Sequence, residues 1–328
     1  LAKPDSLPNA GGYLLNDAWK DFVQWKSWTE KIEKGAMRYF EFMHICFGNV
    51  AVNSINKQDI KSLLNRYALT PRRNIKPYHL MAPLELLELN DVEPKYLVSS
   101  KTVKELFKLC QSFFSRFLTK EKDVLAESPT NNVKCEANST RYAVFSDSEV
   151  RAIESSCSQL DGWRKWVVLI AIYSGARRSE ITKLKKADVR FDADSQRHYL
   201  WIAKGKTKAA TRCIPIHQKL IDYGFLDYID SASDYLFPEV ADRSYNVTEH
   251  LQRNLYSLGI NQLNDHGERK VFHSFRHTFI TKSRSQGIEL GLLQEMVGHE
   301  KFESGITKRY THSYQLKSLL IVVDGLHF

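Results

Sequence analysis

The chain has no apolar stretch longer than Trp166 to Tyr173. A membrane-crossing helix needs roughly 20 such residues, so no membrane partner is expected. Leu1 to Gly12 lack the basic-then-apolar pattern of a secretory signal, and a short flexible N-terminal segment is expected over residues 1–12. The chain begins without Met, which leads to the expectation that it is processed or part of something longer. Cysteine is sparse: Cys46, Cys110, Cys135, Cys157 and Cys213 are odd in number and scattered, with no CxxC pair. That spacing argues against a disulfide framework and against zinc, and points to a reducing cytoplasm. Internal repeats and low-complexity tracts are absent, which excludes solenoid architectures. His273 and His277 stand four apart, but Ser274 occupies the place where a zinc-protease helix carries glutamate.

What remains is the composition of a globular protein, 43% hydrophobic and 26% charged, at a length suited to two domains. The net charge of +9 suits a polyanionic partner, because each phosphate contacted releases condensed counterions. Taken alone, that excess more often describes a merely solvated basic surface.

Apolar positions at helical spacing predict one or two helices over Asp17 to Gly48 and another over Ile60 to Tyr67. The second ends at a Pro-punctuated basic loop, Thr70 to Pro77, carrying Arg72 and Arg73. The clearest N-terminal helix runs from about Ser100 to Leu118, with Val103, Leu106, Phe107, Cys110, Phe113, Phe114 and Phe117 on one face. Lys101, Lys104, Lys108 and Arg116 form a different stripe, which could be a solvated face or could lie against DNA. Ala126 to Arg141, with Pro129, Asn131 and Asn132, has little that could be buried and reads as a linker. The expected organisation is a helical domain over 13–128, a linker over 129–141 and a second domain over 142–328. Ser146 and Glu149 open the second domain with capping-box spacing. Its β section is expected as a hairpin, Arg197 to Ala203 and Thr211 to Ile216, joined by a lysine-rich turn. Helices are expected again around His273, from Glu289 to Val297 with Gly298 as a left-handed cap, and from about Gln315 to Asp324. The fold class is therefore mainly α with a small β section (α+β).

Four stretches of the second domain concentrate phosphate-type chemistry. In Tyr173 to Leu184, Gly175 interrupts a hydrophobic helix, so Arg177 falls at the start of a new one, where free amides and the dipole favour an anion. Glu180, three residues on, shares its face. Lys204, Lys206 and Lys208 alternate in the hairpin turn, and a lysine of lowered pKa can protonate a leaving alkoxide. His273 and Arg276 lie at i and i+3, one able to shuttle a proton and the other to fork onto two oxygens. Last come Gly298 and His299, then Tyr310 flanked by Lys308, Arg309 and His312. Any one of the 15 tyrosines is more simply a packed ring. Tyr310 differs in its basic neighbours.

In that order, Arg177 with Glu180, Lys206, His273, Arg276, Gly298 with His299, and Tyr310 resemble the signature of the tyrosine recombinases, or phage integrase family. The resemblance covers the second domain and extends loosely to the N-terminal half, which is similar to the family's core-binding domain. It implies a site-specific recombinase or integrase with Tyr310 as nucleophile and Arg177, Arg276, His273 and His299 around the phosphate. His273 would take the proton, Lys206 would protonate the departing 5′ oxygen (Lys204 and Lys208 remain alternatives), and Glu180 would hold its neighbours. It further implies a 3′-phosphotyrosyl intermediate, strand exchange through a Holliday junction, and no metal or cofactor. The implied partners are double-stranded DNA, a homotetramer on two DNA sites and accessory DNA-bending proteins, in the nucleoid of a bacterium or as part of a phage or mobile element. The basic stripe of Lys101, Lys104, Lys108 and Arg116, with Arg72 and Arg73, supplies the expected DNA contacts. Two alternatives share the chemistry or the scaffold: a type IB topoisomerase, and an inactive DNA-binding regulator. The final apolar helix is left open between a core helix and a segment docking on a neighbouring protomer.

Overall fold

A computed structural model describes residues 12–137, 141–203, 211–299 and 314–328. The chain divides into two compact units, Leu1–Ser139 and Thr140–Phe328.

The first unit is helical. α1 (Leu15–Lys26) and α2 (Glu30–Phe47) occupy the region expected to hold one or two helices. α3 (Lys57–Ala68) starts at Asn56, whose side chain accepts from the Gln58 and Asp59 amides while Asp59 returns the bond. After the short α4 (Pro83–Glu88), α5 (Ser100–Cys110) continues into a π-helical segment, Gln111–Glu121. The wider winding still buries Phe113, Phe114 and Phe117, because their spacing keeps all three on the inner side. Trp19 stacks on Phe40 at 4.2 Å, and Phe22 meets Phe113 edge-on at 5.2 Å. This aromatic cluster is the centre of the unit's core.

The stretch expected as a linker with little to bury departs from that expectation. Ser128, Thr130 and Val133 are buried with the first unit. Ser128 and Thr130 bond each other and the Ser115 hydroxyl, so small hydroxyl side chains satisfy one another in place of water.

The second unit is built on α7 (Gly162–Ser174), which is buried on every side from Trp166 onward. A helix apolar all round must be central, and α6 (Asp147–Ser158), α11 (Tyr245–Ser257) and α12 (Ser274–Ser285) pack against it. α6 opens with the expected capping box between Ser146 and Glu149. α8 (Arg178–Ile181) follows α7 directly. The β section has three strands where the patterning predicted two: β1 (Val189–Asp192), β2 (Arg197–Ile202) and β3 (Arg212–Pro215), antiparallel in that order. β1 is an edge strand of only four residues, too short to stand out by patterning, with Arg190 and Phe191 facing water. α9 (Gln218–Asp222) and α10 (Phe225–Ser231) lead into α11. α13 (Leu290–Val297) ends at Gly298 in the left-handed conformation, φ +65°, as expected. α14 (Leu316–Asp324) buries Leu319, Val322 and Val323 in its own unit and packs on β3 and α13. Within the single chain it occupies the position that the core reading, the first of its two, expected.

Candidate active site

Backbone geometry sets the site before any side chain does. Gly175 caps α7 at φ +61°, and a Cβ there would meet the Phe279 ring at 2.8 Å. Only glycine allows both the left-handed turn and the close approach of α12. The turn ends α7 and makes Arg177 the N-cap of α8, as the sequence suggested. The Arg177 amide donates to Glu180 Oε2 at 2.8 Å, and its Nη1 donates to Oε1 of the same carboxylate at 2.8 Å. Nη2 reaches the Gly298 carbonyl at 3.4 Å, across 121 residues.

Arg276 projects from the first turn of α12 and is 3% exposed. Its Nη1 donates to the Gly175 carbonyl at 2.9 Å, and its Nη2 to the Val297 carbonyl. Both acceptors belong to the two glycine-terminated helix ends, so the guanidinium is fixed by carbonyls that helix termini leave unpaired. Burial and the neighbouring Arg177 and Arg212 push its pKa down to about 9, which leaves it cationic at neutral pH.

His273 is the N-cap of α12. Partial burial, then His277, Arg276, Arg177 and His299, pull its pKa down to about 4. More than a third of the residue is open to solvent, which screens part of that effect, but every neighbour acts in the same direction. His299 is lowered likewise by burial, Arg276, Arg177 and Arg212. Both imidazoles are therefore neutral near pH 7, able to accept a proton or to donate a hydrogen bond. Tyr142 sets its ring edge against His273, centroids 6.1 Å apart, and lies 6.2 Å from His277. An open cavity of about 360 Å³ adjoins the cluster, lined by Tyr142, Arg177, Arg178, Thr248 and His273.

Arg177, Glu180, His273, Arg276 and His299 thus converge. Tyr310 and Lys206, with Lys204, Lys208, Lys308, Arg309 and His312, lie outside the described residues. One member of the cluster was missed. Arg212, at the start of β3, has a fully buried side chain that donates from Nη2 to Glu180 Oε2 at 2.8 Å and from Nη1 to Oε1 at 3.2 Å. Its Nε donates to the Met296 carbonyl at 2.7 Å. The available signal was parity: Arg212 shares the inward side of β3 with Ile214, where an apolar residue is the norm. Burial would raise the Glu180 pKa, but Arg212 and then Arg177 outweigh it and hold the carboxylate at about 2. Among the described residues, no group of three or more His, Cys, Asp or Glu side chains is placed to hold a metal ion.

In the first unit, Lys101, Lys108 and Arg116 are exposed and Lys104 is half-buried. Lys108 pairs with Glu105 at 2.8 Å, and burial followed by the nearby Arg116 lowers the Lys26 pKa. Arg72 and Arg73, with Arg38, line a cavity of about 510 Å³; Arg72 donates to the Lys95 carbonyl and Arg73 faces Glu41 at 3.4 Å.

A family model described as the phage integrase family matches residues 144–317. A XerC-like tyrosine recombinase of Caldanaerobacter subterraneus is 28% identical over 253 residues, which is 65% of this chain and 63% of that protein. Transposase B from transposon Tn554 of Staphylococcus aureus is 22% identical over 311 residues, 88% of this chain and 43% of the transposase. The chain thus spans less than two thirds of the length of either relative. Among solved structures, the Tn1549 transposon integrase in complex with a circular intermediate DNA superposes with a TM-score of 0.62 at 15% identity, over 92% of this chain and 95% of that one. A lambda integrase tetramer bound to a Holliday junction superposes with a TM-score of 0.60 at 14% identity, over 90% and 81%. Both share the fold.

Proposed function

Because the chain belongs to the phage integrase family, by a match spanning residues 144–317 of 328, we propose that it cuts and rejoins duplex DNA at specific sites by way of a 3′-phosphotyrosyl intermediate. The observation that carries this reading is the convergence of two arginines and two neutral histidines from α8, α12 and the end of α13. Attack on a phosphodiester builds negative charge on the nonbridging oxygens. Arg177 and Arg276 are already oriented by carboxylate and carbonyl partners, so little reorganisation is needed when that charge appears. Tyr310 is the nucleophile. A phenol with a pKa of about 10 must lose its proton as it attacks, and His273, uncharged at neutral pH, takes it. Lys206 protonates the leaving 5′ oxygen, and His299 donates to the phosphate. Energy is conserved in the phosphotyrosyl bond, so a second DNA end can displace the enzyme without ATP.

The relatives' descriptions as recombinase and transposase, and the DNA-bound neighbours, support duplex DNA as substrate and a tetramer as the working assembly; a protein with that substrate works in the nucleoid. Lys101, Lys104, Lys108 and Arg116, with Arg72 and Arg73, supply phosphate contacts from the first unit. The decisive experiment uses a nicked suicide duplex carrying the target site. Wild type is expected to form a covalent protein–DNA adduct that persists in EDTA, and Tyr310→Phe to bind the duplex but form none. An adduct in the variant would overturn the assignment of Tyr310; dependence on a divalent ion would overturn the chemistry.

A further inference from the structure

Glu180 accepts from two arginines at once, and the two are unequal. Arg177 is 39% exposed at its side chain and sits at the mouth of the site, whereas Arg212 is 0% exposed and sits behind the carboxylate. Arg212 also binds the Met296 carbonyl, and a Cβ on Gly298 would come within 2.9 Å of its Nη1. One buried guanidinium therefore touches three segments: β3, the α8 cap, and the end of α13 that leads to His299.

We infer that Arg212 is a positioning residue for strand transfer. By taking up the charge of Glu180 from behind, it leaves the Arg177 guanidinium available to a phosphate, and by holding Met296 it places Gly298 and His299. The inference rests on the strand-transfer reading above. Without Arg212, a nearly buried carboxylate keeps Arg177 as its one close ion-pair partner, so the two neutralise each other and the phosphate loses a donor. Arg276 is held by carbonyls at Gly175 and Val297 and is not placed to substitute. The effect is one of charge as well as shape, because a buried group that loses its partner is costly, while removal of both partners is far less so.

The test is a charge-balance rescue. Arg212→Met is expected to lower adduct formation on the suicide duplex by about 100-fold, the scale of a misplaced catalytic group. Arg212→Met combined with Glu180→Gln is expected to recover most of that loss, because no unbalanced charge then competes for Arg177. Equal loss in the single and double variants would mean that Arg212 does not act through the charge of Glu180, and would overturn the proposal. Should Arg212→Met fail to fold, recovery of folded protein in the double variant supports the proposal, and failure of both overturns it. A second measurement needs no DNA. With Arg212 removed, the Glu180 carboxylate is stranded at neutral pH but can protonate in acid. The Tm deficit of Arg212→Met is therefore expected to be larger at neutral pH than in mild acid, and independent of pH when Glu180→Gln is also present. A deficit with no pH dependence in the Glu180 background overturns the inference even if the wild type forms no adduct, an outcome that would separately overturn the function.

Discussion

Glycine at position 175 stands where an L side chain fails twice, once on its positive φ and once on the Phe279 ring 2.8 Å from the site of a Cβ. A left-handed residue with a Cβ costs about 1–2 kcal/mol, and overpacking a buried ring adds about 1–3 kcal/mol. Gly175→Ala is expected to lose roughly the sum in a denaturant melt; a change below about 1 kcal/mol would show that α12 yields freely. The histidines make the second prediction at this scale. The folded His273 pKa, about 4, lies below its ordinary 6.5. The unfolded chain therefore binds more protons through that window, and stability falls as pH drops from about 6.5 towards 4. His277, His299, His217 and His250 shift the same way. His273→Gln is expected to lessen the acid slope of Tm without abolishing it. An unchanged slope would mean that solvent at the exposed ring edge cancels the effect of the neighbouring charges.

Among the elements, α14 shows how a helix is held by packing more than by charge. Leu319, Val322 and Val323 are at most 1% exposed. The Arg197 fork reaches both Asp324 oxygens at 3.0 and 3.1 Å, but the aspartate side chain is 40% exposed. Leu319→Ala is expected to cost about 2–5 kcal/mol. Asp324→Ala should cost less than about 1 kcal/mol, because solvent screens the pair. Urea melts of the two variants compare these terms directly, and a larger loss at Asp324 would reverse the ranking. Helix faces and caps were legible in the chain itself: the α5 apolar stripe, the Ser146–Glu149 box and the Gly298 stop all depend on neighbours within one or two turns. β1 was not legible, since the alternation of Val189, Arg190, Phe191 and Asp192 lasts only four residues and its Phe191 is exposed.

For the molecule as a whole, the relevant quantity is charge, 47 Lys and Arg against 38 Asp and Glu. Binding to duplex DNA is expected to weaken steeply with salt. Lys101→Ala and Arg116→Ala should each lower the slope of log K against log salt by about 1. Lys108→Ala should change it less, because that ammonium already faces Glu105 at 2.8 Å. Filter binding across a salt series reads all three, and unchanged slopes would move the DNA contacts off this helix.

The chain by itself determined the helical faces, the two glycine stops and the order of Arg177, Glu180, His273, Arg276 and His299, because these are local in periodicity or carried by recognisable residue types. The tertiary structure alone decided that Arg276 is buried against two helix ends and that Arg212 stands behind Glu180. Those bonds join groups from 21 to 101 residues apart. No pattern of period 2 or 3.6 encodes a contact at that separation, and only packing brings such partners within reach of one another.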